Sequence, residues 1–501
     1  MTLASRFLGR EQYVPATAGY RFLPFRFMRW SEAEVLLVNE VGEFTFLPQD
    51  RFMKFIEKTL DREDSCYRAL KGRHFLLDTS LSVPVDLLAT KYRTKKSFLQ
   101  GFVKLHLFVV TLRCEHSCSY CQVSRVGENR SRFDMSEETA RRAVDLMFRS
   151  PARALKVEIQ GGEPLLHFER IQQIVELVEA ANQKEGRQVE LVIATNLIPL
   201  NDEILSFCRE HSILLSTSLD GPEMVHNANR PRKGNDSYAR VLQNLERARE
   251  ALGKDRVSAV MTTTRLSLQH PREIVDEYVR LGFDSIFLRA ISPYGYAVRT
   301  REALRYETEQ FVAFYKEALD RIIEVNRSGI NFVETYAQIL LSKILTPFAN
   351  GYVDLQSPSG AGIGVVAYNY DGDVYASDES RMLAEMGDRS FRLGNVHENS
   401  YEQIFGGDVL RALAASSVLE ALPGCADCAF LPYCGGDPVF HYRTQGDVVG
   451  HRPTSAFCVK NMAILRHLFE LLRHGDRFVR NLLTRWATGV FVEDAEEDAC
   501  L

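Results

Sequence analysis

Three cysteines, in Cys114-Glu-His-Ser-Cys118-Ser-Tyr-Cys121, stand at the end of an apolar run from Val103 to Leu112. Spaced C-x3-C-x2-C, they can close on one inorganic centre from a single tight loop. Thiolates are the ligands of iron–sulfur clusters, which usually take four. Three protein ligands therefore predict a [4Fe–4S] cluster with one iron left open. A zinc knuckle and scattered core cysteines are the alternatives, although zinc favours paired C-x2-C units and closed four-fold ligation. A second set, Cys425-x2-Cys428-x5-Cys434 with Cys458 24 residues further on, is a strong metal signal in its own right. Spacing alone does not separate a four-cysteine zinc site from an iron–sulfur cluster there. Cys66, Cys208 and Cys500 stand alone and read as core or surface thiols.

A strand followed by an amphipathic stretch recurs about every 35 residues from 104 to 325. The expected strands are Lys104–Leu112, Leu155–Ile159, Glu190–Ala194, Leu214–Leu219, Val257–Met261 and Ser285–Arg289. Helical spacing follows in Glu137–Phe148, Phe168–Ala181 and Tyr238–Leu252, then in Glu307–Val325 and Phe332–Leu345. Alternating units of this length predict a parallel sheet with helices outside. Six units fall short of the eight that close a full barrel. In such sheets the reactive ends are the C-terminal ends of strands. The cysteine loop follows strand one, and Gly161-Gly162-Glu163-Pro164 follows strand two.

The cysteine spacing, with Tyr120 before the third cysteine, resembles the signature of the radical S-adenosylmethionine (SAM) superfamily. Gly161, Gly162, Glu163 and Pro164 resemble that family's GGE motif, which contacts the methionyl amino group of SAM. Strand four ends in Ser216-Thr-Ser218-Leu-Asp220-Gly221, and a loop runs on through His226-Asn-Ala-Asn-Arg230-Pro. This stretch is similar to one in the peptide-modifying branch, where the serine binds the SAM ribose and the arginine approaches its carboxylate. Guanidinium pairs with carboxylate bidentately, so the chemistry suits the residues. Outside the resemblance, Ser218 is a strand-end cap and Arg230 a surface charge. Asn196, after strand three, and Leu288, on strand six, are further candidates for the SAM pocket or plain packing. The resemblance implies an α/β fold, a partial (β/α)6 TIM-like barrel. It also implies that the open iron chelates SAM, which the reduced cluster cleaves to methionine and a 5′-deoxyadenosyl radical.

A Gly/Ser/Pro-rich linker, Gln356 to Gly364, marks an expected domain boundary, and beyond it a hairpin of Val365–Tyr370 and Val374–Tyr375 turns at Asp371-Gly-Asp. With the second cysteine set, this region resembles the SPASM domain, which carries auxiliary [4Fe–4S] clusters. The family's first auxiliary cluster uses three cysteines whose places here hold Ala361 or Gly362, Ser377 and Pro438. All four ligands of the second survive. The resemblance thus implies one auxiliary [4Fe–4S] cluster, on Cys425, Cys428, Cys434 and Cys458, in a cut-down, twitch-like domain. Asp437 is an oxygen ligand or a turn residue. Asp378 follows the position of a lost cysteine, where sulfatase maturases keep their proposed base; a solvated loop aspartate is the alternative.

Upstream, Glu34 to Leu47 reads as two strands about Asn39–Gly42, and Gln49–Leu60 as a helix. This small α+β module resembles the element with which peptide-modifying enzymes grip a leader peptide as an added strand. The alternative is an extension that covers the barrel. The expected domains are the N-terminal module at 1–100, barrel and following helices at 101–355, auxiliary domain with a C-terminal helix at 356–485, and an acidic tail at 486–501.

The 501 residues, 45% apolar and 25% charged, fit an ordinary globular chain of two to four domains. A net charge of −5 gives no support to nucleic-acid or anionic-membrane binding. No run approaches the length that spans a bilayer, and the first residues lack a signal-peptide apolar core. A cytoplasmic site is therefore expected, where ten cysteines are metal-binding or free. Cys434-Gly-Gly-Asp-Pro and Tyr20-Arg-Phe-Leu-Pro-Phe-Arg-Phe most resemble the His-Xaa-Ser system radical SAM maturase, B-type. That implies a ribosomal precursor peptide with His-Xaa-Ser repeats as substrate, a companion radical SAM maturase, and a flavodoxin or ferredoxin reductant. The competing readings are a sulfatase-maturase-like enzyme that oxidises a Ser or Cys, and a non-enzymatic peptide-binding scaffold.

Overall fold

The computed structural model describes residues 19–299 and 306–490. Its central sheet has eight strands, in the order Val257–Val260, Leu214–Ser218, Gln188–Ala194, Ala154–Gly161, Leu105–Thr111, Val365–Tyr368, Asp373–Tyr375, Arg392–Asn395. Pairing is parallel from Val257–Val260 through to Val365–Tyr368 and antiparallel in the last two steps. Leu105–Thr111 is buried along nearly its whole length, as expected for an apolar run covered on both faces. The helices Glu137–Phe148, Phe168–Glu185 and Ser237–Leu252 bury one stripe each against the sheet. Ser136 caps the first of them by accepting from Thr139 N.

In and just after the barrel, two expectations are corrected. The sixth strand is only Ser285–Ile286 and pairs with Val333–Glu334, outside the main sheet. Glu334 takes over its hydrogen bonding: this buried carboxylate accepts from Leu288 N at 3.1 Å, Tyr315 Oη at 2.5 Å and Ala337 N at 2.5 Å. A bridge between Thr263 and Ala290 keeps the segment beside the barrel. The stretch 356–364 is mostly buried rather than a free linker. Its small residues allow close packing, and a Cβ on Gly360 would lie 2.5 Å from Val353 Cβ. The hairpin that follows therefore continues the barrel sheet directly.

The N-terminal module has three antiparallel strands, Phe25–Arg29, Glu34–Asn39 and Phe44–Pro48, one more than expected, and the helix Gln49–Ile56. One face of its sheet packs Val35, Leu37 and Leu47 against Phe52 and Phe55. The other packs Trp30, Leu36, Val38 and Phe46 into the main core, where Phe469 meets Phe44 at 4.9 Å between centroids. Tyr433 Oη donates to Gly42 O at 2.8 Å. The module thus docks on the cysteine-rich C-terminal region and not across the barrel. The helix Arg477–Thr488 crosses the expected 485/486 boundary, because Val479, Leu482, Leu483 and Trp486 form one buried stripe. The start of the chain, the acidic run 493–498 and Cys500 lie outside the described residues. No helix among the described residues is long and apolar enough to cross a membrane.

Candidate active site

The cysteine loop leaves strand Leu105–Thr111 and is clamped on both sides by backbone bonds. Cys114 N donates to Val126 O at 3.1 Å, Ser117 N to Pro231 O at 2.8 Å, and Ser119 N to Asn229 O at 3.2 Å. Gly162 N and Glu163 N donate to Thr111 O and Arg113 O at 2.8 and 2.7 Å. A Cβ on Gly161 would meet Thr111 O at 2.1 Å, and one on Gly162 would meet Arg113 O at 2.4 Å. Only glycine lets these two strand ends lie together.

A cavity of about 460 Å³ opens at this end of the sheet. It gathers Cys114, Cys118, Cys121 and Tyr120 with Gly161, Gly162, Asn196, Ser218 and Arg230, and also Asp378. Glu163 and Pro164 are not among its lining residues. Glu163 is wholly buried and accepts from Leu165 N, Thr195 Oγ1 and Asn196 N at 3.0, 2.6 and 2.7 Å. It pins the turn after strand three, so Asn196 Nδ2 reaches Glu115 Oε1 at 2.5 Å and Cys114 Sγ at 3.9 Å. Burial, with Glu115 nearby, pushes Glu163 up to about 8. Leu288 lines a second, adjoining cavity instead.

Arg230 is held by a residue that motif reading passed over. Asp220, wholly buried, accepts from Arg230 Nε at 3.1 Å and from Tyr120 Oη at 2.7 Å. Burial alone would push the guanidinium down, but Asp220 and Tyr120 outweigh it and keep it charged. Behind them His226 Nε2 and His116 Nε2 share Ser237 Oγ at 3.1 and 2.7 Å. His116 also meets Glu115 at 2.8 Å. Cys114, Glu115 and His116 offer ligand atoms within 4.8 Å of one another, but the last two are already committed to these hydrogen bonds.

Asp378 opens the helix Asp378–Ala384, which Ser377 caps, and accepts from the fully buried Arg381 at 2.8 Å. Its neighbour Glu379 also lines the cavity. Burial, then Asp354, Asp378 and Asp437, push Glu379 up to about 8. Adjacency to Asp378 was the only signal for it in the chain. Asp437 caps the helix Pro438–Gln445 by accepting from Phe440 N at 3.1 Å.

Of the four C-terminal cysteines, Cys425 and Cys434 pack against one apolar cluster, Leu419, Leu422 and Leu431. Burial first, then Cys428, Cys458 and Cys425, push the Cys434 thiol up to about 12. Cys458 sits in the first turn of helix Ala456–His474, which brings it to the loop. In the cysteine loop burial likewise pushes Cys118 up to about 12. Thiols buried in this way become thiolates readily only beside a metal's positive charge, and soft sulfur donors in these numbers are what an iron–sulfur or zinc centre takes. Where the family's first auxiliary cluster would need ligands, Ala361 packs with Ala376, Met382, Leu383, Leu413 and Val439, and Ser377 Oγ accepts from Ser380 N at 3.2 Å.

Residues 108–278 match the family model described as the Radical SAM superfamily. The chain is a radical SAM enzyme with that superfamily's α/β fold, and such enzymes use SAM and a [4Fe–4S] cluster. Among relatives, the cysteine-type anaerobic sulfatase-maturating enzyme of Clostridium perfringens is 24% identical over 339 residues, 64% of this chain and 85% of that one. An uncharacterized protein of Archaeoglobus fulgidus is 25% identical over 409 residues, 78% of this chain and 89% of its own. Among solved structures, native anSMEcpe with bound AdoMet has a TM-score of 0.60 at 19% identity, covering 75% of this chain and 99% of that one. Streptococcus suis SuiB bound to precursor peptide SuiA has a TM-score of 0.51 at 13% identity, with 87% and 99% covered.

Proposed function

We propose that this enzyme is a maturase that modifies a ribosomally made precursor peptide. Cys114, Cys118 and Cys121 would hold the SAM-binding cluster, and Cys425, Cys428, Cys434 and Cys458 one auxiliary cluster. The observation that carries the reading is the single cavity joining the three cysteines to Gly161, Gly162, Asn196, Ser218 and Arg230. Bound there and reduced, such a cluster would supply the electron for reductive SAM cleavage and so the means of removing a hydrogen atom from the peptide.

The chain's own residues do the rest. The Gly161–Gly162 backbone and Asn196 line the place for the methionyl end of SAM, Arg230 offers its free guanidinium nitrogens to the carboxylate, and Ser218 a hydroxyl to the ribose. Asp378, which accepts from Arg381 and lines the same cavity, is the group that would take up a proton from the substrate. Of the two solved neighbours described above, one holds AdoMet and the other a precursor peptide, which favours a peptide substrate. The resemblance to the His-Xaa-Ser maturases supplies the finer reading, with a companion maturase and a flavodoxin or ferredoxin as reductant. Oxidation of a Ser or Cys in a protein substrate is the second reading, favoured by the similarity to the C. perfringens enzyme. Against it stands the apolar packing where a first auxiliary cluster would lie.

The test is SAM cleavage by the reduced, anaerobically reconstituted enzyme. The Cys114/Cys118/Cys121→Ala variant is expected to form no 5′-deoxyadenosine. Formation at the wild-type rate would overturn the assignment. Added His-Xaa-Ser precursor, compared with a sulfatase-derived Ser/Cys peptide, separates the two substrate readings by which one gains a changed mass.

A further inference from the structure

A second cavity, of about 200 Å³, adjoins the first. Phe287, Arg289, Tyr352, Asp354 and Glu379 line both, so the two share one wall. None of the cysteines, nor Asn196, Ser218 or Arg230, lines the smaller one. Aromatic rings make its sides: Tyr306, Phe311, Tyr336, Phe440 and Phe457. Its charged groups are the carboxylates of Asp354, Glu379 and Asp437 and the cations of Arg289 and Lys460. Among the described residues no ion pair joins any of the five to a partner.

Two further observations point to a ligand. Tyr294, 1% exposed, lines this cavity, and its buried hydroxyl has no hydrogen-bond partner among the described residues. A buried hydroxyl left so costs free energy that a bound group would restore. The carboxylates outnumber the cations and crowd one another: burial and Asp354 push Asp437 up to about 7, as the same neighbours push Glu379 up. A cation brought among them would favour the ionised forms of Glu379 and Asp437.

We propose that this second cavity is the specificity pocket for one side chain of the substrate peptide, a planar nitrogen base, imidazole or guanidinium. The proposal rests on the peptide-modifying reading above. A planar cation stacks on aromatic faces, its N–H groups donate to carboxylates in charge-assisted bonds, and the volume accommodates one large side chain. Seated there, the base would place its peptide backbone along the shared wall, beside Asp378 and the SAM cavity.

The experiment uses the reconstituted, SAM-bound enzyme and four capped amino acids: N-acetyl methylamides of histidine, arginine, leucine and aspartate. Dissociation constants come from NMR titration. Histidine or arginine is expected to bind about tenfold or more tightly than leucine and aspartate, the size of effect one hydrogen bond to a charged group gives. The tighter of the two names the side chain. Tyr294→Phe and Glu379→Gln, checked for a melting temperature close to the wild type's, are expected to weaken that probe several-fold while leaving leucine unchanged. Equal binding of all four probes, a preference for aspartate or leucine, or variants without effect would overturn the pocket. Wild-type SAM cleavage, measured on the same sample, is a separate readout. An enzyme that cleaves SAM yet ranks the probes otherwise loses only this inference, and one that cleaves no SAM loses the function proposed above.

Discussion

At Asp220 several groups depend on one carboxylate: Tyr120, Arg230 and, at 3.3 Å, the amide of Thr262. Asp220→Asn keeps the shape and removes the charge, leaving a mostly buried guanidinium unpaired. Breaking such a pair costs about 3 kcal/mol or more. We expect a loss of that order in denaturant melts of the reconstituted enzyme, and weaker SAM binding because Arg230 is no longer aimed. Loss of SAM binding with no loss of stability would show that the pairing is not what holds Arg230. Asp220 was visible in the chain as part of Ser-Leu-Asp-Gly, yet its role was not. Its partner Tyr120 lies 100 positions away, and no spacing rule connects them. The cysteines were legible because their ligand geometry is local, whereas Glu163, read as a cofactor contact, acts through Thr195 and Asn196 across the sheet.

Among elements, the closest approach is between the ends of strands Leu105–Thr111 and Ala154–Gly161. Gly162→Ala would set a methyl 2.4 Å from Arg113 O and 2.5 Å from Leu112 O. Both are backbone atoms that cannot swing away, so overpacking of about 1–3 kcal/mol is expected. The displaced cysteine loop should lower iron retention too. Gly72→Ala, where nothing lies within 4 Å, is the neutral control, and equal melting of the two variants would refute the steric argument. Strands one to five and the helices between them were readable because apolar periodicity repeats with each unit. Ser285–Arg289 misled because Phe287 and Arg289 turn to the cavities and Glu334, 46 positions on, takes the Leu288 amide. The stretch 356–364 misled because small residues signal close packing as well as loose linkers.

For the molecule as a whole, the seven grouped cysteines predict two clusters, roughly eight irons per chain, against roughly twelve with a second auxiliary cluster. The Cys114/Cys118/Cys121→Ala variant should keep roughly four, with matching sulfide; zinc without sulfide would replace the auxiliary cluster by a zinc site. The seam between the chain's two ends has its own pH dependence. Glu420 accepts from Lys96 at 2.7 Å, Ser357 at 2.7 Å and Tyr92 at 3.0 Å. Burial alone would raise its pKa, but Lys96 and Ser357 outweigh it and lower it from 4.5 to about 2. A depressed carboxylate stabilises the fold above its unfolded value and loses that contribution as pH falls toward the folded one. Glu420→Gln should therefore cost about 1–3 kcal/mol at pH 7, with the difference from wild type closing between about pH 4.5 and 2; a gap independent of pH would rule the ion pair out. The same seam has a consequence in time. Trp30, Phe44 and Phe46 leave the ribosome early, yet their cover, Phe469, is synthesised some 420 residues later. At about 5–20 residues per second, the nascent chain carries a bare aromatic face for about 20–80 seconds. That face gains its native cover only once the helix Ala456–His474, which carries Phe469, has been made.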